Sequence, residues 1–316
     1  MKPLLSFLSR LPMMPSTRAF LREAATVPGF GFLDFVHGYV YGRWPSLYVG
    51  IATGCHPLSR TLGPPARWLL DQYERAARHL GDDSLVGGSP AGKTGFADVY
   101  HGKVMPLESA SRLVSVRQEV LLTGLESVVP YPVARDLILR EPDRIVALEC
   151  PCRAYRANPC KPLDVCLVIG EPFASFAREH NPRKSRWINQ EEAASILKAE
   201  HERGHVHHAF FKDAMLDRFY AICNCCSCCC GAMGAYRDGS PMLASSGYVC
   251  RIDADLCAGC GTCVGTCPFR AVILNGDAAV IDQQSCMGCG VCASVCPTGA
   301  LTLVRDFSRS DPLEIP

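Results

Sequence analysis

Apolar residues recur at helical spacing in the first half of the chain. Leu69, Leu70, Tyr73, Ala77 and Leu80 share one face of a 3.6-residue period, as do Leu113, Val116, Val120 and Leu121. A further helical segment is expected from Val133 to about Arg140. Asn189, with Glu192 three residues on, has the form of a capping box that opens the helix EEAASILKAEHERG, and Gly204 stands where that helix would close. Apolar runs of another kind, AVIL after Pro268 and ALTLV after Pro297, suit short strands. These patterns predict an α+β protein with a mainly helical part over 1–145 and a cysteine-rich domain over 146–236. A linker of turn-forming residues, RDGSPMLASSG, follows at 237–247, and a compact module with a tail occupies 248–316.

Composition narrows the chemistry. The 316 residues suffice for two or three domains. Lys and Arg (32) balance Asp and Glu (31), so the long-range field of a nucleic-acid binder is missing and nucleic acid is set aside as a partner. The informative number is 20 cysteines, of which all but Cys55 lie between Cys150 and Cys296. Their spacings are those of metal ligands, pointing to thiolate-bound metal in a reducing, cytoplasmic setting. The start, MKPLLSFLSRLPMMPSTRAF, reads as uncleaved, since Ser6, Ser9 and Arg10 interrupt its apolar run.

Two segments invite stronger readings. Pro28 to Gly54 is rich in aromatics and glycine, but Asp34, His37, Arg43 and Pro45 break it well short of a spanning helix. It reads as a loop-rich piece of core, with peripheral contact to a membrane surface or to a partner subunit as the alternative. GGSPAGKT, residues 87–94, matches the phosphate-loop pattern literally. The flanks supply neither the buried strand nor the helix that such a loop needs, so the segment reads as a loop and not as a nucleotide site.

The clearest signal is an internal repeat. Cys257, Cys260, Cys263 and Cys267 recur as Cys286, Cys289, Cys292 and Cys296, each shifted by 29 positions and each quartet followed by proline. The close spacing lets three thiolates of one loop reach three irons of a cube, while Gly259, Gly261, Gly288 and Gly290 let the backbone wrap tightly. The fourth cysteine of each run serves the other cube. One set is therefore Cys257, Cys260, Cys263 and Cys296, and the second is Cys286, Cys289, Cys292 and Cys267. Zinc ribbons space their cysteine pairs further apart. From about Tyr248 to Val304 the chain resembles a bacterial two-cluster ferredoxin. That resemblance implies two [4Fe–4S] clusters, a βαββαβ-like unit and single-electron transfer. Residues 251–304 hold two Arg and four Asp, so the loaded module would be anionic and suited to a basic face on a redox partner protein.

The middle region offers ten more thiols: Cys150, Cys152, Cys160 and Cys166, then Cys223, Cys225, Cys226, Cys228, Cys229 and Cys230. That exceeds the needs of one cubane. If the second run is helical, Cys223, Cys226 and Cys230 face one way and Cys225, Cys228 and Cys229 another, so one segment would serve two sites. The sequences around Cys150-Pro-Cys152-Arg153, Asp164-Val165-Cys166-Leu167, Glu191-Glu192-Ala193, Gly204-His205-Val206-His207 and Ile222-Cys223-Asn224-Cys225-Cys226 resemble cysteine-rich, multi-cluster ferredoxin-like proteins of anaerobic bacteria. This likeness carries metal but no reaction. One or more additional Fe–S clusters is the favoured reading, with structural zinc and exchanging thiols left open. His205, His207 and His208 read as a solvated surface group, and Cys250 and Cys55 as spectators.

The expectation is an iron–sulfur electron-transfer protein passing single electrons between two [4Fe–4S] clusters and a cysteine-rich domain. Two alternatives stand beside it: an oxidoreductase whose cysteine-rich centre reduces a small substrate or disulfide, and an electron-transfer subunit of a membrane-associated complex. Dinucleotide, haem-attachment and catalytic-triad patterns are missing from the sequence, so the sequence names no catalytic residue.

Overall fold

A computed structural model describes residues 12–59, 61, 100–129 and 135–315. The helix expected over Leu69–Leu80 and the phosphate-loop pattern at 87–94 lie outside them. The first helices are α1 (Pro15–Ala24), α2 (Phe32–Arg43) and α3 (Pro45–Ala52). The loop-rich expectation for Pro28–Gly54 is corrected here. Asp34 accepts the Gly31 N–H at 2.7 Å and so caps α2, while Pro45 stands in the first turn of α3, where its missing N–H costs nothing. Among the described residues no helix is long and apolar enough to cross a membrane.

Next come β1 (Tyr100–Met105), α4 (Leu107–Val114), β2 (Val120–Leu122) and β3 (Leu137–Leu148). The helical readings at 113–121 and 133–140 are overturned in their described parts: α4 stops at Val114, and Val120 and Leu121 pair with Leu139 and Ile138 of β3. Leu137 and Leu139 are buried on one face, a period of two that a cross-strand partner stabilises over local helical preference. The part before residue 145 is thus mixed, and β3 runs across that position.

The cysteine-rich part contributes α5 (Pro151–Ala154), β4 (Cys166–Glu171), α6 (Phe173–His180), β5 (Ser185–Ile188), α7 (Gln190–Glu202), β6 (Val206–Lys212), β7 (Arg218–Cys225) and α8 (Gly231–Arg237). As its sequence signals, α7 is capped by Asn189, whose side chain accepts the Glu192 N–H at 2.8 Å, and it ends before Gly204 at φ +80°. The Glu192 carboxylate pairs with Arg186.

Leu243–Ala244, inside the expected linker, form β8 and pair parallel with β1. An eight-stranded sheet results, in the order β2-β3-β4-β7-β6-β1-β8, with β5 added along β3. Its strands come from both sides of residue 145.

Alternation along the strands sorts residues onto two apolar layers. Ile145, Ala147, Leu167, Ile169, Phe211 and Ile222 face α4 and α7. Val146, Leu148, Cys166, Val168, Phe210 and Cys225 face α1 and α6, with Cys223 packed against the same layer. Central strands buried on both faces read as continuous apolar runs, and so the large sheet is not announced by alternation in the sequence. The C-terminal module follows as β9 (Tyr248–Ile252), α9 (Thr262–Thr266), β10 (Val272–Asn275), β11 (Ala278–Ile281), α10 (Val291–Ser294) and β12 (Leu301–Arg305). In it β9 pairs antiparallel with β12, and β10 with β11.

Candidate metal centres

In the C-terminal module each group of three cysteines lies on a tight loop entering a short helix. Gly259 and Gly288 take φ +62° and +66°, and a side chain at either would overlap a backbone carbonyl, of Asp277 and of Tyr248 respectively. Only glycine lets the loops close this tightly. Cys263, Cys286, Cys289 and Cys292 are buried, Cys257, Cys267 and Cys296 half-buried, and Cys260 exposed. Cys267, from the first loop, lines one small cavity together with Cys286, Cys289 and Cys292 of the second. Cys296 in turn comes within electrostatic reach of Cys260 and Cys263. Cys267 thus lies among the thiols of the second run, and Cys296 within reach of two thiols of the first.

Donors surround these sulfurs. Ala271 N–H donates to Cys267 Sγ at 3.3 Å, and Cys250 N–H to Cys286 Sγ at 3.4 Å. Hydrogen bonds with Thr262 and Thr298 hold the Cys260 and Cys296 thiols below their ordinary pKa. Cys250, a spectator in the sequence reading, is buried with its thiol 3.5 Å from Cys292 Sγ, and that contact holds Cys292 below the ordinary value. Nothing in its spacing signals this role, because β9 brings it in from outside the repeat.

The ten thiols of the middle region fall into two groups. Cys223, Cys166, Cys150, Cys152, Cys230 and Cys225 form an unbroken chain of neighbouring thiols, each acting electrostatically on the next. Cys166 and Cys223 are cross-strand neighbours on β4 and β7, while Cys150 and Cys230 are the residues before α5 and α8. The Cys152 contact and burial push Cys150 up to about 12; the Cys230 contact lowers Cys225, but burial outweighs it and pushes that thiol up to about 12. The second group is Cys160, Cys226, Cys228 and Cys229, whose sulfurs all lie within 4.8 Å of one another. The helical partition of CNCCSCCC is corrected by this arrangement. Cys223 and Cys225 are two apart on a strand and share a face, and the chain then turns through 226–229. Cys55 joins neither group; its thiol lies 3.8 Å from the Thr53 carbonyl.

The six-thiol chain borders a cavity of about 390 Å³. Its lining also includes Tyr41, Tyr48, Tyr100 and Tyr220, with Tyr41 and Tyr220 hydroxyls 2.6 Å apart. Lys212 Nζ sits 5.1 Å from the Tyr41 ring centroid and 5.6 Å from that of Tyr100, and burial lowers its pKa.

A buried ion network sets the cysteine loops in place. Arg153, fully buried, donates to Glu200 at 2.6 Å, to the Pro162 carbonyl at 2.6 Å and to the Asn224 carbonyl at 2.9 Å. One side chain thereby ties α5, the loop before β4, the end of β7 and α7 together. Burial would raise the Glu200 carboxyl, but hydrogen bonds from His205 (2.7 Å) and Arg153 outweigh it and hold the group below its ordinary range. His205, His207 and His208 are therefore not the solvated surface group the sequence suggests: all three are buried, the last two on a strand covered on both faces. His207 Nδ1 lies 2.6 Å from Asn224 Oδ1, and Asn224 donates to the Val165 carbonyl at 2.7 Å. Burial lowers His207 to about 4 and His208 to about 3, so both are neutral at pH 7.

The C-terminal module thus has the ligand pattern of an iron–sulfur domain. Comparison with protein families agrees: the 4Fe-4S binding domain matches residues 251–273 and 279–302, one repeat for each quartet. These two repeats indicate two [4Fe–4S] clusters and iron–sulfur electron transfer. A search of curated proteins finds no match to the chain.

Proposed function

We propose that the protein transfers single electrons between a redox partner and an inner metal centre, using the C-terminal pair of clusters as its entry point. Cys257, Cys260, Cys263 and Cys296 would hold one cluster, and Cys286, Cys289, Cys292 and Cys267 the other. The order strand, helix, strand, strand, helix, strand around them supports a ferredoxin-type βαββαβ unit. When bound, each [4Fe–4S] group takes up and returns one electron at a potential set by hydrogen bonding and solvent access. The chain's part is to supply those conditions. Ala271 and Cys250 direct N–H groups at ligand sulfurs, and the buried Cys286, Cys289 and Cys292 keep water from one side.

The six-thiol chain is the second half of the proposal, an inner Fe–S centre of the middle region. Its thiols share one continuous apolar core with a single ligand of the module, Cys289, and with Met287 beside it. Tyr236 bridges the two, donating to Met287 Sδ at 3.4 Å. A low-dielectric connection of this kind suits electron exchange inside one chain.

The observation that carries the proposal is the crossing of Cys267 to the second quartet. After anaerobic reconstitution of the full chain, the C-terminal pair alone corresponds to about eight irons and eight acid-labile sulfides, and the pair with an inner cubane to about twelve of each. Cys267→Ser is expected to perturb the cluster of Cys286, Cys289 and Cys292 in reduced-state electron paramagnetic resonance. An unchanged spectrum with a full iron count would end the proposal. A second reading, reduction of a small substrate at the inner centre, is favoured by the cavity of about 390 Å³ beside the thiols. It predicts that cyanide or carbon monoxide shifts the spectrum of that centre, whereas a fully ligated relay stays unchanged.

A further inference from the structure

Cys226, Cys228 and Cys229 come from one turn after β7, and Cys160 reaches them from the loop after α5. Cys160 Sγ is 3.1 Å from Cys228 Sγ, Cys228 Sγ is 3.6 Å from Cys229 Sγ, and all four sulfurs lie within 4.8 Å of one another. The size of this group decides what it can bind. Four thiolates about 2.3 Å from one tetrahedral ion stand about 3.8 Å apart. A cubane gives each thiolate its own iron at a separate corner, so its four sulfurs stand further apart. The same molecule supplies the yardstick. Among the described residues neither C-terminal quartet closes to within 4.8 Å, although both match the 4Fe-4S pattern.

The surroundings suit a closed, charged site. Four thiolates around a divalent ion leave two negative charges. Arg156 donates to the Cys229 carbonyl at 3.1 Å, and the Arg153 guanidinium acts on Cys226 electrostatically. The Cys229 backbone amide also acts on the Cys226 sulfur, favouring its thiolate. Four sulfur ligands from two loops leave no open position, and at such a site zinc binds more tightly than ferrous iron. We infer that Cys160, Cys226, Cys228 and Cys229 hold a single structural zinc ion, separate from the six-thiol chain, that pins the 155–165 loop to the end of β7.

The inference rests on the division of the middle cysteines and not on electron transfer. Elemental analysis of the full-length protein, loaded anaerobically with iron and sulfide, is expected to give about one zinc per chain beside the iron. Cys160→Ser and Cys228→Ser should each lower zinc about ten-fold while iron and acid-labile sulfide hold. Cys160→His, which keeps a fourth ligand, should retain the zinc. Cobalt(II) in place of zinc should show the visible bands of a tetrahedral thiolate site in the unmutated chain, a readout that stands even if a serine variant does not fold. Zinc near zero in the unmutated protein, or loss of iron and sulfide from the two serine variants, would overturn the inference. A normal iron count with zinc missing would refute this site alone; a normal zinc count with too little iron would refute the electron-transfer proposal alone.

Discussion

Cys250 shows how much one residue outside a motif can matter. Its N–H points at Cys286 Sγ and its thiol rests 3.5 Å from Cys292 Sγ, so two ligands of one proposed cluster are contacted from β9. Donors near ligand sulfurs favour the reduced, more negative state and raise the potential. Cys250→Ala, which removes the thiol in contact with Cys292 and keeps the N–H, is expected to lower the midpoint potential of that cluster and leave its partner's unchanged. A redox titration followed by electron paramagnetic resonance reads both. His207 makes a residue-scale prediction of another kind. Its folded pKa of about 4 lies below the unfolded value near 6.5, so the unfolded chain takes up the proton first. Its contribution is complete above pH 6.5 and is lost as pH falls from there towards 4. In that window unfolding free energy of the parent should fall by about 1.4 kcal/mol per pH unit through this group, and His207→Asn should flatten the slope by that amount.

At the scale of elements, α7 acts as the clamp of the cysteine-rich region. Asn189 and Gly204 delimit it by local chemistry, and that much is legible from spacing alone. Its functional face is not, because Glu200 matters only through Arg153 and His205, which chain folding brings to it from 47 residues before and five after. Glu200→Gln would leave the Arg153 charge buried without a counter-charge, at a cost of about 3–5 kcal/mol. A lower denaturation midpoint, with faster release of zinc and iron from the middle region, is the expected result. The strands show the converse limit. Residues 137–140 carry apolar positions that also fit a helix, and pairing with β2 and β4 settles them as β3.

For the whole molecule, the tail past the module is part of the main sheet's core. Leu313 is buried against the layer that holds Leu137, Phe211 and Phe219, Asp311 N–H donates to the Ser127 carbonyl at 2.8 Å, and Lys103 Nζ donates to the Asp311 carbonyl at 2.6 Å. With β8 entering the sheet beside β1 and the tail held by Lys103 of the same strand, the module is anchored at both ends. Leu313→Ala is expected to cost about 2–5 kcal/mol and to expose the 305–316 segment to limited proteolysis before the cysteine-rich region is cut. Removal of one large buried side chain by itself accounts for that cost, and the order of cleavage tests the anchoring.

What the sequence by itself determined was the local chemistry: eight cysteines at repeat spacing, the glycines that let their loops close, and the cap of one helix. Each is decided by residues a few positions apart, where backbone geometry alone sets the distance. Tertiary structure decided which distant groups meet: six thiols in one chain, four in a tight tetrad, histidines inside a strand, and a linker that became a strand. Those outcomes depend on which face of the sheet each residue takes and which strand lies beside it, and cross-strand contact has no fixed separation along the chain.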